Sequence, residues 1–286
     1  MKYGVIDIGS NSVRLMISDN GETLYKLVNT TRLAEGMGEE KTLKPQAVER
    51  SVSAVSFFVE KAKSELVDKI FIFATAAVRL AVNPEFFTDM VYNQTGIMVD
   101  VVSGGTEATL GRIGALGFSD GGVIDVGGAS TEVVAVLGGN TVFSKSLPIG
   151  VVRIKDCCGQ DKNSAFAYSR DTIRQYGDIP KTKYYTIGGT ATTLASLIQG
   201  LEPYDPKKVN GFVITLQTLS DTVDRLYSLT IEERLKIKGL HPSRAEVIAG
   251  GALLLMEIMK KIGVDTITVS ERDNLEGYLM MKTEKI

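Results

Sequence analysis

Cysteine is nearly absent. The 286 residues include two, Cys157 and Cys158, and they are adjacent. Neighbouring cysteines make no structural staple, and two sulfurs are too few for a zinc site without partners; two reduced thiols are expected. Histidine is rarer still. His241 stands alone beside Pro242 and reads as a loop residue, so a phosphohistidine mechanism has little support. A net charge of −2 leaves no global basic field to recruit nucleic acid, and neither DNA nor RNA is expected as a partner. No apolar run is long enough to span a membrane. The sequence begins on a strand pattern without a basic n-region or an apolar signal segment, from which a cytoplasmic location is expected.

What the sequence does contain is a duplicated turn. Gly122-Val123-Ile124-Asp125-Val126-Gly127-Gly128-Ala129-Ser130-Thr131-Glu132 reads as a buried strand that ends on an aspartate, reverses through glycines and enters a second strand. Glycines let the backbone approach a ligand closely. Successive N–H groups in such a turn form an anion-binding concavity, and an aspartate at the strand end suits a hard cation. The same pattern stands 118 residues earlier, where Gly4, Val5, Ile6, Asp7, Gly9 and Ser12 answer Gly122, Val123, Ile124, Asp125, Gly127 and Ser130. Asn20-Gly21 and Gly138-Gly139 then read as matching hairpin turns. A repeat of this length is a domain duplication rather than a solenoid unit.

The order of elements supports this. A meander over residues 3–29 is followed by a helix from Pro45 with Val48, Val52, Val55 and Val59 on one stripe. A strand at 69–75, a helix at 84–95 closed by Gly96, a strand at 97–103 and a helix at 105–116 follow, then a joint at 117–122. The second half repeats the meander to about residue 147. It continues with a helical section at 164–176, a strand at 183–187, a helix after Gly188-Gly189-Thr190, and a helix over 215–229. A helix capped by Ser243 and Glu246 runs to Ile262, before a last strand at 266–269 and a last helix at 275–281. A meander followed by alternating helix and strand, twice over, predicts two mixed α/β domains facing one cleft. The Gly188-Gly189-Thr190 stretch, a strand running into glycines at a helix start, reads either as a second phosphate cradle or as close strand–helix packing.

Four charged side chains could do chemistry. Glu107 follows Gly104-Gly105 at a helix start. It is either a carboxylate favoured by the helix dipole or a general base directing water at a phosphorus. Arg14, Arg79 and Arg244 are either solvated surface charges or guanidiniums that bind phosphate bidentately.

Together these stretches resemble the exopolyphosphatase and guanosine pentaphosphate phosphohydrolase family. Asp7–Leu15 and Asp125–Glu132 resemble its two phosphate loops. Residues 74–79, 103–110, 146–153, 188–194 and 204–211 resemble further family segments in order, so the match covers nearly the whole chain. The resemblance implies an actin-like (ribonuclease H-like) fold of two duplicated domains flanking a central cleft, 1–118 and 119–270, with a C-terminal helix within 271–286 packing back on the first. It implies a hydrolase that releases terminal phosphate from inorganic polyphosphate or the 5′ γ-phosphate of guanosine pentaphosphate, with Mg²⁺ as cofactor. By residue, Glu107 resembles the water-activating base. Asp125 and Glu132 resemble acidic residues that support the metal, and Arg14, Arg79 and Arg244 resemble phosphate-binding arginines. Ser10, Asn11, Ser12, Gly127, Gly128, Ser130, Gly188, Gly189 and Thr190 are the remaining phosphate-binding candidates. The partner expected is polyphosphate or a guanosine polyphosphate; a homodimer is left open.

Thr106, Ala129, Asn210 and Leu275 depart from the family pattern, which commonly has an acidic residue, a glycine, a histidine and an arginine there. Two other readings therefore stand beside the hydrolase. One is a sensor that binds polyphosphate or a nucleotide without turnover. The other is an actin-fold kinase, for which no sugar-binding signature is found.

Overall fold

The computed structural model describes residues 1–38, 40–117 and 119–283, and the numbers of elements below refer to these. Phe118, within the joint read from the sequence, and residues 284–286, within the expected C-terminal segment, lie outside them. The chain forms two compact units. One comprises residues 1–110 with the C-terminal stretch from Asn274; the other is Gly111–Asp273.

In the first unit β1 (Lys2–Ile8), β2 (Val13–Asp19) and β3 (Glu22–Asn29) form the meander. Asn20 and Gly21, both with positive φ, turn β2 into β3, as a type I′ hairpin requires. Then come α1 (Pro45–Ser64), β4 (Lys69–Ala74), α2 (Ala76–Arg79), α3 (Pro84–Thr95), β5 (Asp100–Val101) and α4 (Gly104–Leu116). The sheet order is β3-β2-β1-β4-β5, with β4 parallel to β1 and β5 parallel to β4. Helix α1 turns Val48, Val52, Val55 and Val59 inward, all essentially fully buried; removing each from water is worth about 1.5–3 kcal/mol.

The second unit holds β6 (Gly121–Val126), β7 (Thr131–Leu137), β8 (Asn140–Leu147), α5 (Val151–Cys158), α6 (Lys162–Ile173), β9 (Tyr184–Ile187), α7 (Gly188–Gln199), α8 (Pro206–Val209), β10 (Val213–Thr215), α9 (Leu216–Ser228), α10 (Ile231–Arg234), α11 (Ile248–Ile262) and β11 (Thr266–Val269). Its sheet order is β10-β11-β9-β6-β7-β8. From the meander end, β8-β7-β6-β9-β11 repeats the order of the first sheet, with β10 added antiparallel at the edge. The two copies thus fold alike, each around its own sheet.

The last helix, α12 (Asn274–Thr283), belongs to the first unit. Its Leu275, Tyr278 and Leu279 complete an apolar cluster with Val5, Met16, Phe73, Val102 and Leu110. Tyr278 stacks on Phe73 with ring centroids 4.4 Å apart and donates its hydroxyl to Asp100 at 2.8 Å. Leu275, where the family commonly has arginine, is fully buried in this cluster.

Two expectations are corrected. Ser243 and Glu246 do not cap a long helix: Ser243 Oγ bonds His241 Nδ1 at 2.8 Å, Glu246 pairs with Lys155 at 3.4 Å, and α11 starts only at Ile248 after a 3-10 turn over Pro242–Arg244. The expected strand at 97–103 is reduced to β5, Asp100–Val101, whereas the expected helix over 215–229 is present as α9, preceded by β10, whose three residues are too few to show a period. Helix α5 and the short helices α2, α8 and α10 were not read from the sequence, because runs of four to eight residues carry little amphipathic signal.

Candidate active site

In the first unit the parallel strands place the C-terminal ends of β1, β4 and β5 on one edge of the sheet, where open α/β folds bind ligands. Beyond β1 the chain turns through Gly9-Ser10-Asn11-Ser12, closed by Gly9 N–H donating to the Ser12 carbonyl at 3.0 Å. Ser10, Asn11 and Ser12 are all buried. Their backbone is buttressed from outside: Arg32 N–H donates to the Asn11 carbonyl and Ala34 N–H to that of Ser10, both at 2.9 Å. Arg14 lies directly across the β1–β2 ladder from Asp7, and its Nε and Nη2 donate to Asp7 Oδ2.

Beyond β4, Thr75 leads into α2, which ends on Arg79. Beyond β5, the Ser103 hydroxyl accepts from Thr106 N–H at 3.0 Å and starts α4. Glu107 falls in the first turn of α4, where the helix dipole favours a carboxylate. It is buried, 7% exposed. Arg79 Nη1 donates to Glu107 Oε2 at 2.7 Å and to the Val102 carbonyl at 3.0 Å. Burial raises the Glu107 carboxyl pKa above the ordinary range. The Arg79 guanidinium opposes that shift, the neighbouring Asp7 adds to it, and a hydrogen bond with Thr75 opposes it. Asp7, Thr75, Arg79 and Glu107 are thus one electrostatic group. Arg79 is no solvated surface charge.

The second unit repeats the turn. Gly127 N–H donates to the Ser130 carbonyl at 3.0 Å, the counterpart of the Gly9–Ser12 bond. Gly127 and Gly128 are half-buried and Ser130 is buried. Helix α5 docks beneath: Val151 N–H donates to the Gly127 carbonyl at 3.0 Å and Val152 N–H to that of Gly128 at 2.8 Å. A Cβ on Gly150 would meet those two residues' backbone at 2.5 Å. Arg153 Nε donates to the Ala129 carbonyl at 2.8 Å. The position answering Arg14 is Glu132, directly across from Asp125. Glu132 is 2% exposed and accepts a hydrogen bond from Ser146 Oγ at 2.6 Å.

The Gly188-Gly189-Thr190 stretch is where β9 passes into α7. Gly188 has φ +78°, and a Cβ there would sit 2.7 Å from Asp125 Oδ1; one on Gly189 would sit 2.1 Å from Arg244 Nη2. The absence of side chains therefore lets a carboxylate and a guanidinium close on the start of α7. Thr190 turns inward, its hydroxyl donating to the Val126 carbonyl at 2.7 Å. Within this unit Asp125, Gly188, Gly189 and Arg244 come together at the strand ends.

Sequence reasoning assigned no role to Thr75 or Ser146. Each holds a carboxylate of the candidate site, Thr75 that of Glu107 and Ser146 that of Glu132. The signal available for both was their place in the family-like segments 74–79 and 146–153, which gave neither residue a role of its own.

The chain belongs to the Ppx/GppA phosphatase family, whose pattern matches residues 6–285. It is 30% identical to exopolyphosphatase 2 of Mycobacterium tuberculosis, covering 98% of both proteins. It is also 30% identical to a guanosine-5'-triphosphate,3'-diphosphate pyrophosphatase of Aliivibrio fischeri, over 96% of the chain but 58% of that protein. A bifunctional 3-dehydroquinate synthase/phosphatase of Fusobacterium nucleatum is 32% identical, and the chain spans 46% of its length. Among solved structures, a Ppx/GppA family member from Aquifex aeolicus superposes with a TM-score of 0.80 at 28% identity, covering 100% of this chain and 98% of that one. An exopolyphosphatase from Cytophaga hutchinsonii gives 0.89 at 24% identity, over 100% and 99%, and shares the fold. The architecture is the actin-like fold of two α/β domains.

Proposed function

We propose that this chain hydrolyses terminal phosphoanhydride bonds of inorganic polyphosphate, of the 5′ end of guanosine pentaphosphate, or of both, with Glu107 activating the attacking water. Family membership supports the coarse reading, a phosphate-releasing hydrolase. The observation that carries the finer one is Glu107: a buried carboxylate at the strand ends, its pKa pushed up by burial and held by Arg79. A base works best when its pKa approaches the operating pH.

In this reading Glu107 takes a proton from water as the oxygen attacks the terminal phosphorus. The bond to the bridging oxygen breaks, and that oxygen leaves on the shortened chain. Such transition states spread charge over the transferred phosphoryl oxygens, so catalysis is chiefly positioning and charge neutralisation. The turns at Ser10–Ser12 and at Gly127, Gly128 and Ser130 would supply N–H groups, and the start of α7 more of them. Both described bonds of Arg79 use Nη1, which leaves its other nitrogens to meet phosphate. Arg14 and Arg244 are the other phosphate ligands proposed.

Among the described residues no group of three or more His, Cys, Asp or Glu is arranged for a metal. Mg²⁺ does not need one, since it commonly binds one or two carboxylates, waters and substrate phosphates. Asp125 and Glu132, facing each other across β6 and β7, are oxygen donors of that kind and would hold it. When bound, the ion would neutralise developing phosphate charge. Phosphate release is therefore expected to disappear on chelation and return with Mg²⁺, and Asp125→Asn to raise the Mg²⁺ concentration needed for half-maximal rate. Full activity after thorough chelation would remove both residues from this role.

Arg79 should reveal itself in a pH profile. Glu107 serves as a base only when ionised, so kcat/KM falls on the acid side as it protonates. Arg79 favours the ionised form, hence Arg79→Ala is expected to move the acid limb to higher pH as well as to raise KM. A limb that stays in place, or moves to lower pH, would separate the two residues. The direct test of the whole reading is phosphate release measured across polyphosphate, guanosine pentaphosphate and common nucleotides with no acceptor present. Binding without release would favour a sensor.

A further inference from the structure

Arg234, at the end of α10, is 1% exposed. A buried cation is costly unless well bonded, and here no carboxylate answers it among the described residues. Besides the Tyr227 ring, 5.9 Å from its guanidinium carbon, its partners are neutral oxygens from three separate segments. Nε donates to the Leu226 carbonyl at 2.7 Å. Nη1 donates to Gln160 Oε1 and to the Ala245 carbonyl, the latter at 3.2 Å. An apolar side chain would fill this volume at lower cost. What only a guanidinium can do is hold several oxygens in fixed directions.

Two of those bonds converge on one stretch. Ala245 directly follows Arg244. Gln160, which accepts from Arg234, turns its amide the other way and donates Nε2 to the Glu246 carbonyl at 3.1 Å. Lys155 reaches the Glu246 carboxylate at 3.4 Å. The carbonyls of both residues after Arg244 are therefore fixed by side chains from α10 and from the loop after α5. The stretch needs such support. It is a single 3-10 turn that lies ahead of the first turn of α11, a poorer hydrogen-bonding arrangement than an α-helix. Yet it presents the Arg244 guanidinium against Gly189, where even one methyl would collide with it.

We propose that Arg234 and Gln160 are positioning residues for Arg244: they hold the backbone behind it so that its guanidinium stays at the start of α7, aimed at substrate phosphate. This rests on the reading of Arg244 as a phosphate ligand. Arg234 touches no substrate in this arrangement; it acts through the Ala245 carbonyl, and Gln160 through that of Glu246.

The test is a double-mutant cycle read in steady-state kinetics on the phosphate-releasing substrate, with Tm measured for each variant. Gln160 is itself exposed, so Gln160→Ala opens no cavity in the core, although it removes one of the three bonds of Arg234. It is expected to raise KM about three- to tenfold with kcat little changed, the size of coupling typical of residues in one network. Arg234→Met, of similar volume, should raise KM by at least as much, and Arg234→Lys should fall between it and the parent. In an Arg244→Ala background, Gln160→Ala should have no further effect on KM. If Arg244→Ala raises KM but the Gln160→Ala factor persists undiminished in that background, the positioning role is wrong and the phosphate reading stands. An unchanged KM in Arg244→Ala alone overturns the phosphate reading and the inference with it. A lowered Tm in Arg234→Met and Gln160→Ala with KM unmoved in both makes the two residues structural and also sinks the proposal.

Discussion

Glu107→Gln is expected to lower kcat by about 10²–10⁴-fold, the range for loss of a general base, while substrate binding persists. Glutamine keeps the size of the side chain and an oxygen that can accept from Arg79, so the group around Asp7, Thr75 and Arg79 is disturbed little. What it loses is the ability to take a proton. The environment makes this a sharp test. Burial disfavours the charged form of Glu107, Asp7 disfavours it further, and Arg79 opposes both. A purely structural carboxylate at a helix start would be worth only the dipole interaction, about 0.3–1 kcal/mol, and its amide analogue would leave kcat nearly intact. Equal rates for variant and parent on every phosphoanhydride tested would move the base elsewhere. A fall in kcat together with loss of the acid limb of the pH profile would tie the base to this carboxylate.

Much of this arrangement was legible in the sequence, and for a physical reason. The stretch from Gly4 to Ser12 recurs from Gly122 to Ser130 because both copies make the same turn, with the Gly9–Ser12 bond matched by Gly127–Ser130. The matching hairpins at Asn20-Gly21 and Gly138-Gly139 declare themselves because positive φ at both positions limits what can stand there. What stayed hidden depends on residues distant in sequence. Arg79 and Glu107 are 28 positions apart, and nothing local in either segment says that they form one pair. The expected helix cap at Ser243 failed because His241 competes for the same groups. That contest depends on side-chain direction, which spacing does not reveal. The buried role of Arg234 was illegible for a similar reason: its partners at Leu226, Gln160 and Ala245 lie 8, 74 and 11 positions away, and only the fold brings them around it. The departure at Leu275 reads differently once seen in place, since its side chain completes the cluster between α12 and the sheet.

That cluster sets up the second large effect. Gly277→Ala is expected to destabilise the protein by about 3 kcal/mol, the upper end for overpacking, and to lower Tm by about 6–12 °C. A Cβ at this position would lie 1.9 Å from the Leu110 carbonyl oxygen and 2.7 Å from its carbon. Those are backbone atoms of α4, which cannot swing aside as a flexible side chain can. Relief requires α12 and α4 to move apart, and the Tyr278–Phe73 stack and the buried Leu275 resist that movement. The strain also reaches the chemistry, because Leu110 is three residues beyond Glu107 on the same helix, close to one turn. A displacement near 1 Å of a reacting group can cost up to about 10²-fold in rate. The folded fraction of Gly277→Ala should therefore show a depressed kcat at temperatures well below its Tm. Gly105→Ala provides the stability control: its added Cβ would find only the Ser103 hydroxyl, at 3.8 Å, so Tm should hold. A parental Tm in Gly277→Ala would mean that α12 is not pressed against α4 at Leu110, and the link from the C-terminal helix to Glu107 would fall with it.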